Sequence, residues 1–348
     1  MDSTGHLYVA DAQTIRKITP AGEVSTLAGA AYVVGSADGT GAAVQFNGPL
    51  GVAVDSAGNF AVADQHNDTI REVTPAGVVT TLAGTADVFG TNDGTGTGAG
   101  FGSPTGMTVD GAGNLYVADA GNFNVRKITP AAVVTTLAGM AHRDGNADGT
   151  GADARFGGPA GVAVDRAGNV FVADQPNHTI RLITPAGVVT TLAGTAAISG
   201  SADGHGHDAQ FNTPAGVAVD SVDNVYVADQ LNHTIRKMAP GGFVTTLAGS
   251  AGTPGTVDGI GHAALFNKPS GVAVDGAGNV YVADSMNSAI RKITPTGVTT
   301  TIGGVPGVSG ILLGAAPRFA SPNALTIVGD ALVVIDTNAI LLLRHVVR

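Results

Sequence analysis

The stretch Pro159–Gly194, PAGVAVDRAGNVFVADQPNHTIRLITPAGVVTTLAG, decides the fold. It holds four short runs of small and β-branched residues, GVAV, NVFVA, TIRLI and VVTTLA, parted by DRAG, DQPN and TPAG. Each separator carries Gly, Asn, Asp or Pro where a tight bend needs them. In the unit two repeats earlier the same register predicts strands over Gly51–Val54, Asn59–Ala63, Thr69–Val73 and Val78–Ala83. Connections of this length force antiparallel neighbours, so each unit is a four-stranded meander.

The unit repeats along the chain. Asp55, Asp110, Asp165, Asp220 and Asp275 close GVAVD-like segments at a constant spacing of 55 residues, and a second series, Asp11, Asp64, Asp119, Asp174, Asp229 and Asp284, closes the next strand, with Asp336 more loosely in phase. A fixed period of this length marks a repeat architecture. The strand runs do not alternate cleanly with polar residues, as expected when both faces of a sheet are covered by neighbouring sheets. A propeller satisfies that requirement, whereas a solenoid needs shorter units or helices. The fold expected is all-β, a β-propeller of four-stranded antiparallel blades. Second and third strands recur seven times, so seven blades are favoured, with six as the alternative. The whole chain, 1–348, reads as one such domain with incomplete first (1–29) and last (305–348) units.

Composition agrees. The chain has 348 residues, 52 of them Gly, with 44% hydrophobic and 13% charged residues. That suits many strands and turns, and it is enough to bury roughly three quarters of the unfolded surface. The net charge of −10, with most Lys and Arg confined to one strand motif, argues against nucleic acid as partner. Cys is absent, which removes disulfides and thiolate metal sites. No apolar run approaches the ~18 residues of a membrane span. The first residues, MDSTGHLYVAD, match DSAGNFAVAD inside a repeat, so a longer parent chain, secreted or periplasmic, is the expectation.

The Pro159–Gly194 unit resembles an NHL-repeat blade, its N-H dipeptide standing as Asn177 and His178. The resemblance extends over nearly the whole chain and implies a propeller, usually of six blades. It implies little about function, because proteins of this family have very different roles.

The turn after the second strand and the long inter-blade loop are expected on one end, the upper face, where binding is most plausible. Residues present in every unit read as architecture. Asp174 with Asn177, and the series Arg16, Arg71, Arg126, Arg181, Arg236, Arg291 and Arg344, satisfy backbone groups and bridge strands. The D-G-x-G segments at Asp38, Asp93, Asp148, Asp203 and Asp258 invite a calcium reading. They lack the six to eight oxygens such a site needs, and a tight Asp-Gly turn accounts for them better.

Departures from the repeat carry more functional information. His66, Asp68, Asn124, His142, Arg143, Arg155, His178 and His233 form a candidate ligand-binding rim, and His205, His207, Asp208 and His262 a weaker candidate metal set. No catalytic set is recognisable. The first strands, which line the axis, offer only Gly, Val, Ala and Thr with few exceptions, and the variable positions are the ones just before them: Leu50, Thr105, Ala160, Ala215, Ser270 and Asn323. With no Trp and few aromatics, stacking platforms for sugars are scarce. The reading favoured is a non-catalytic interaction scaffold for protein or peptide ligands, without a required cofactor. The alternatives are a metal-assisted hydrolase or lyase resembling propeller lactonases or lyases, with a divalent ion as cofactor, and a propeller fragment or engineered scaffold without a ligand.

Overall fold

The computed structural model describes residues 33–308 apart from 42, 56, 57 and 75, then residues 321–327. It also describes the backbone of the strands Leu7–Asp11, Thr14–Ile18, Val24–Gly29, Pro322–Val328, Ala331–Asp336 and Ala339–Arg344. Five sheets of five strands follow one another. In blade 3, Pro159–Val164 is innermost, followed outward by Val170–Asp174, Thr179–Ile183, Val188–Ala193 and the two-residue strand Gly149–Thr150. Blades 1, 2, 4 and 5 repeat this order, with inner strands Pro49–Val54, Pro104–Val109, Pro214–Val219 and Pro269–Val274.

This corrects the expected architecture: the described residues form five blades of five strands, not seven or six blades of four. The extra strand comes from the Gly-rich inter-blade loop. Two of its residues pair with the start of the fourth strand, as Gly149 with Val189 and Thr150 with Val188. So short a segment shows no hydrophobic period. The blade count was inflated by the end units, whose strands fold as two separate three-stranded sheets. The strand Pro322–Val328 lies beside the inner strands of blades 5 and 1, and Leu7–Asp11 lies beside Ala339–Arg344.

Each core layer sits in a seam between two blades. The seam of blades 3 and 4 packs Phe171, Ala173 and Ile180 on Phe211, Val217, Val225 and Val227. The second strands, such as VFVAD at Val170–Asp174, are buried along their whole length, which explains why their sequence does not alternate.

Around the axis the inner strands approach closely. A Cβ on Gly106 would stand 2.3 Å from the Ala160 carbonyl oxygen, and one on Gly161 2.4 Å from that of Ala215. Only glycine permits this spacing.

Candidate functional site

At the upper end, the second strand runs into a single 3₁₀ turn, Gln175–Asn177 in blade 3, and then a left-handed residue, His178 at φ 58°. The two residues of the N-H dipeptide have separate tasks. Asn177 Nδ2 donates to the Gly145 carbonyl at 2.6 Å and to Asp174 Oδ2 at 2.7 Å, closing its own blade. His178 Nδ1 accepts the Thr213 N–H of the next blade at 3.0 Å. In blade 4, His233 Nδ1 accepts from Lys268 N–H at 3.0 Å, and in blade 1 the Asp68 carboxylate accepts from Ser103 N–H at 2.6 Å.

Burial holds the His178 imidazole below its ordinary pKa, and burial with the Lys268 ammonium does the same for His233. Both are therefore neutral acceptors committed to the seam.

Beneath each turn lies a buried guanidinium. Arg181 Nη1 donates to Asp174 Oδ2 at 3.1 Å and to the Arg155 carbonyl at 2.9 Å, while Nη2 donates to Asp148 Oδ1 at 2.8 Å and the Ala147 carbonyl at 3.0 Å. Its carbon lies 5.2 Å from the centre of the Phe156 ring. A bulge in the third and fourth strands sets Arg181 opposite Thr191, and Asp148 also accepts the Thr191 hydroxyl at 2.9 Å. The same clamp is built on Arg71, Arg126, Arg236 and Arg291. Arg16 and Arg344 have side chains outside the described residues.

The D-G-x-G carboxylates are thus more than turn formers. They are the outer half of the clamp. The phenylalanines under the guanidinium, Phe46, Phe101, Phe156, Phe211 and Phe266, recur every 55 residues and were the signal for it in the sequence.

The remaining candidates are dispersed. Asn124 begins the third strand of blade 2 and is 1% exposed, so it belongs to the interior and not to the rim. His66 is exposed on the blade 1 turn, its N–H bonded to the Asn47 carbonyl and its ring lying over Gly48. His142, Arg143 and Arg155 each make a separate contact near the loop that enters blade 3. The His142 ring stacks on Phe89 with centroids 5.9 Å apart, Arg143 N–H donates to the Met140 carbonyl, and Arg155 Nη2 approaches Met140 Sδ at 3.6 Å.

His205 stands on the outermost strand of blade 4, at the perimeter. His207 Nδ1 bonds the Gly194 carbonyl of blade 3, and His262 Nδ1 the Gly249 carbonyl of blade 4, each at 3.0 Å. Asp208 is exposed beside His207. Among the described residues no three His, Cys, Asp or Glu side chains are grouped to hold a metal ion.

Exposed apolar side chains on the inter-blade loops were absent from the expected rim. Val88 is 52% and Phe89 50% exposed, and Met140 and Ile198 are also exposed. The axial channel, about 300 Å³, is lined by residues such as Gly106, Val162, Val217 and Leu325, and among the described residues Thr108 and Thr326 are its only polar side chains.

The NHL repeat is matched over residues 46–72, 101–128, 156–181, 211–238 and 266–293, one match per blade. NHL repeat-containing protein 2 of Homo sapiens is 30% identical over 288 residues, 72% of this chain and 39% of that protein. The chain spans 26% to 45% of the length of the curated relatives it matches over most of its own length. Among solved structures, an auxiliary nutrient binding protein from Bacteroides thetaiotaomicron superposes with a TM-score of 0.66 at 14% identity, covering 95% of this chain and 83% of that one. Virginiamycin B lyase from Staphylococcus aureus gives 0.56 at 13%, covering 84% and 94%. At these identities the two structures share the fold alone. With one repeat match on each of five blades, the chain belongs to the NHL-repeat β-propeller family.

Proposed function

We propose that the chain is a non-catalytic interaction scaffold that docks a protein or peptide on its upper face, chiefly on the loops entering blades 2 and 3. The observation that carries this reading is how the polar groups of that face are used. His178, His233, Asp68 and the second-strand aspartates are tied to the seams or the clamp. Left to solvent at the start of the loops are Val88, Phe89 with His142 stacked on it, Met140 and Arg143, with the carboxylates of Asp87 and Asp144 exposed beside them. An exposed aromatic flanked by a guanidinium is a common anchor in protein interfaces.

A nutrient-binding relative in fold is in keeping with a binding role, while the lyase relative in fold keeps its own chemistry. The experiment is to select binding peptides against the intact chain and titrate them calorimetrically against Phe89→Ser and Arg143→Glu variants. Binding lost in both, with the thermal melt unchanged, supports the reading. Peptides indifferent to both variants, or metal-dependent turnover of lactone or ester substrates, overturn it.

A further inference from the structure

Opposite the 3₁₀ turns, at the lower end of each seam, a cross-strand pair recurs: Tyr116 with Lys127, Tyr226 with Lys237 and Tyr281 with Lys292. The Lys ammonium lies 5.5 to 5.7 Å from each ring centre. Each phenol donates at 3.1 Å to the Asp that closes the first strand, Asp110, Asp220 or Asp275. The rings are buried in a socket supplied by the fourth strand of their own blade and the first two strands of the following one. Tyr116 packs with Leu137, Val164 and Val170, and Tyr226 with Leu247, Val274 and Val280. Blade 3 fills its socket with Phe171, paired with Leu182.

Blade 1 leaves it empty. The pair there is Ala61 with Glu72, and the corresponding wall, Leu82, Val109 and Leu115, is intact. The result is a cavity of about 140 Å³, bordered also by Asp55 and Pro130. It lies at the position where blades 2 and 4 place Tyr116 and Tyr226. Asp55, which accepts from the Asn59 N–H at 2.8 Å and from Asn59 Nδ2 at 3.0 Å as its counterparts do from their own Asn, stands in the position whose counterparts also accept a phenol, and Glu72 replaces the cation with an anion.

We propose that the seam between blades 1 and 2 binds a small phenolic amine, its ring in the socket of Ala61, its hydroxyl on Asp55 and its ammonium on Glu72. The ligand restores what the other seams build covalently: ring, phenol and cation. The buried ring supplies most of the affinity, and the half-exposed carboxylate of Glu72 selects for positive charge. This site is at the opposite end from the docking patch and does not depend on it.

The test is calorimetric titration of the intact chain with tyramine and with 4-methylphenol, which lacks the amine. Tyramine should bind saturably at one site per chain, about fivefold more tightly than 4-methylphenol, the size of a half-exposed ion pair. Glu72→Gln should remove that preference and leave 4-methylphenol unchanged. Ala61→Tyr fills the socket and should abolish binding of both while raising the melting temperature. Should that variant fold poorly, Ala61→Phe with Glu72→Leu reproduces the blade 3 pair and serves the same purpose. No saturable tyramine binding at millimolar concentration, binding that survives the filled socket, or a Glu72→Gln variant that keeps the preference overturns the proposal.

Discussion

His178 Nδ1 accepts the backbone N–H of Thr213 at 3.0 Å, across a seam and 35 residues along the chain. The ring is a strap between blades, so its chemistry is replaceable by any acceptor of similar reach. Asp68 performs the same task in blade 1, and Phe123 occupies the same left-handed position in blade 2 at φ 57° without an acceptor on its side chain. His178→Phe should therefore cost about 1 kcal/mol, a hydrogen bond lost at a partly buried N–H. His178→Asp should recover most of it. Urea midpoints of the two variants check this, and equal loss in both would show that the ring acts by packing alone.

The clamp is far more demanding. Removing the guanidinium with Arg181→Met strands Asp174, which is fully buried, and should cost roughly 3–5 kcal/mol. Asp148, the outer partner, is half exposed, so Asp148→Asn should cost about 1 kcal/mol or less. Chemical denaturation of the two variants reads the contrast. Comparable losses would mean that the guanidinium is held from outside.

How much of this was legible follows from what each residue repeats with. The four long strands of a unit were readable from turn chemistry and spacing, and the Thr69–Val73 and Val78–Ala83 bounds stand as read. The Gly-Thr edge strands were not, because two residues carry no period. Arg181 and Asp174 were legible as architecture, since a ring of identical groups has structural reasons to exist. The rim was only partly legible. His178 and His233 break the consensus without being free, because an imidazole, a carboxylate and a phenyl ring all fit one left-handed turn position. Their fate depends on Thr213 and Lys268, one blade away, and no local pattern reports that. Asn124 was misplaced because it sits at a strand start whose outward appearance in sequence matches a loop. Ala61 was overlooked because a small residue looks unremarkable until its counterparts are seen to be Tyr or Phe.

The carboxyls of the clamp give a pH dependence of unusual sign. Burial raises Asp64, Asp119, Asp229 and Asp284 from 3.8 to about 6, and raises Asp174 as well, against the opposing pull of their Asn and Arg partners. A raised carboxyl binds its proton more tightly in the folded chain, so its contribution to stability falls as pH climbs from about 4 to 6. His178 and His233, lowered from 6.5, act oppositely and favour the folded chain above that value. Five groups outweigh two, and the urea midpoint should be higher at pH 5 than at pH 7. Below pH 4 it should fall, as Asp110, Asp148 and Asp220, whose hydrogen bonds hold them low, take up protons. A midpoint that drops steadily from pH 7 to 5 would show that the buried carboxyls stay ionised in the clamp.

The axial glycines set how tightly the blades can close. At Gly161 an added Cβ meets the Ala215 carbonyl oxygen at 2.4 Å and the Gly216 Cα at 3.0 Å, both backbone atoms on the next inner strand. Neither can swing aside as a side chain would, so Gly161→Ala must push two blades apart. That shift opens the seam in which Phe171, Ala173 and Ile180 pack on Phe211, Val217 and Val225, and overpacking of this kind costs about 1–3 kcal/mol. Gly111 makes the matched control. It sits in the turn after the first strand of blade 2, has nothing within 4 Å of its would-be Cβ, and lies outside the left-handed region. Gly111→Ala should leave stability unchanged or raise it by about 0.5 kcal/mol through the loss of unfolded-state freedom. Thermal melts of the pair separate steric closure from the general effect of replacing a glycine. If Gly161→Ala melts with Gly111→Ala, the inner strands have slack that their spacing does not show, and the ring is held from its seams alone.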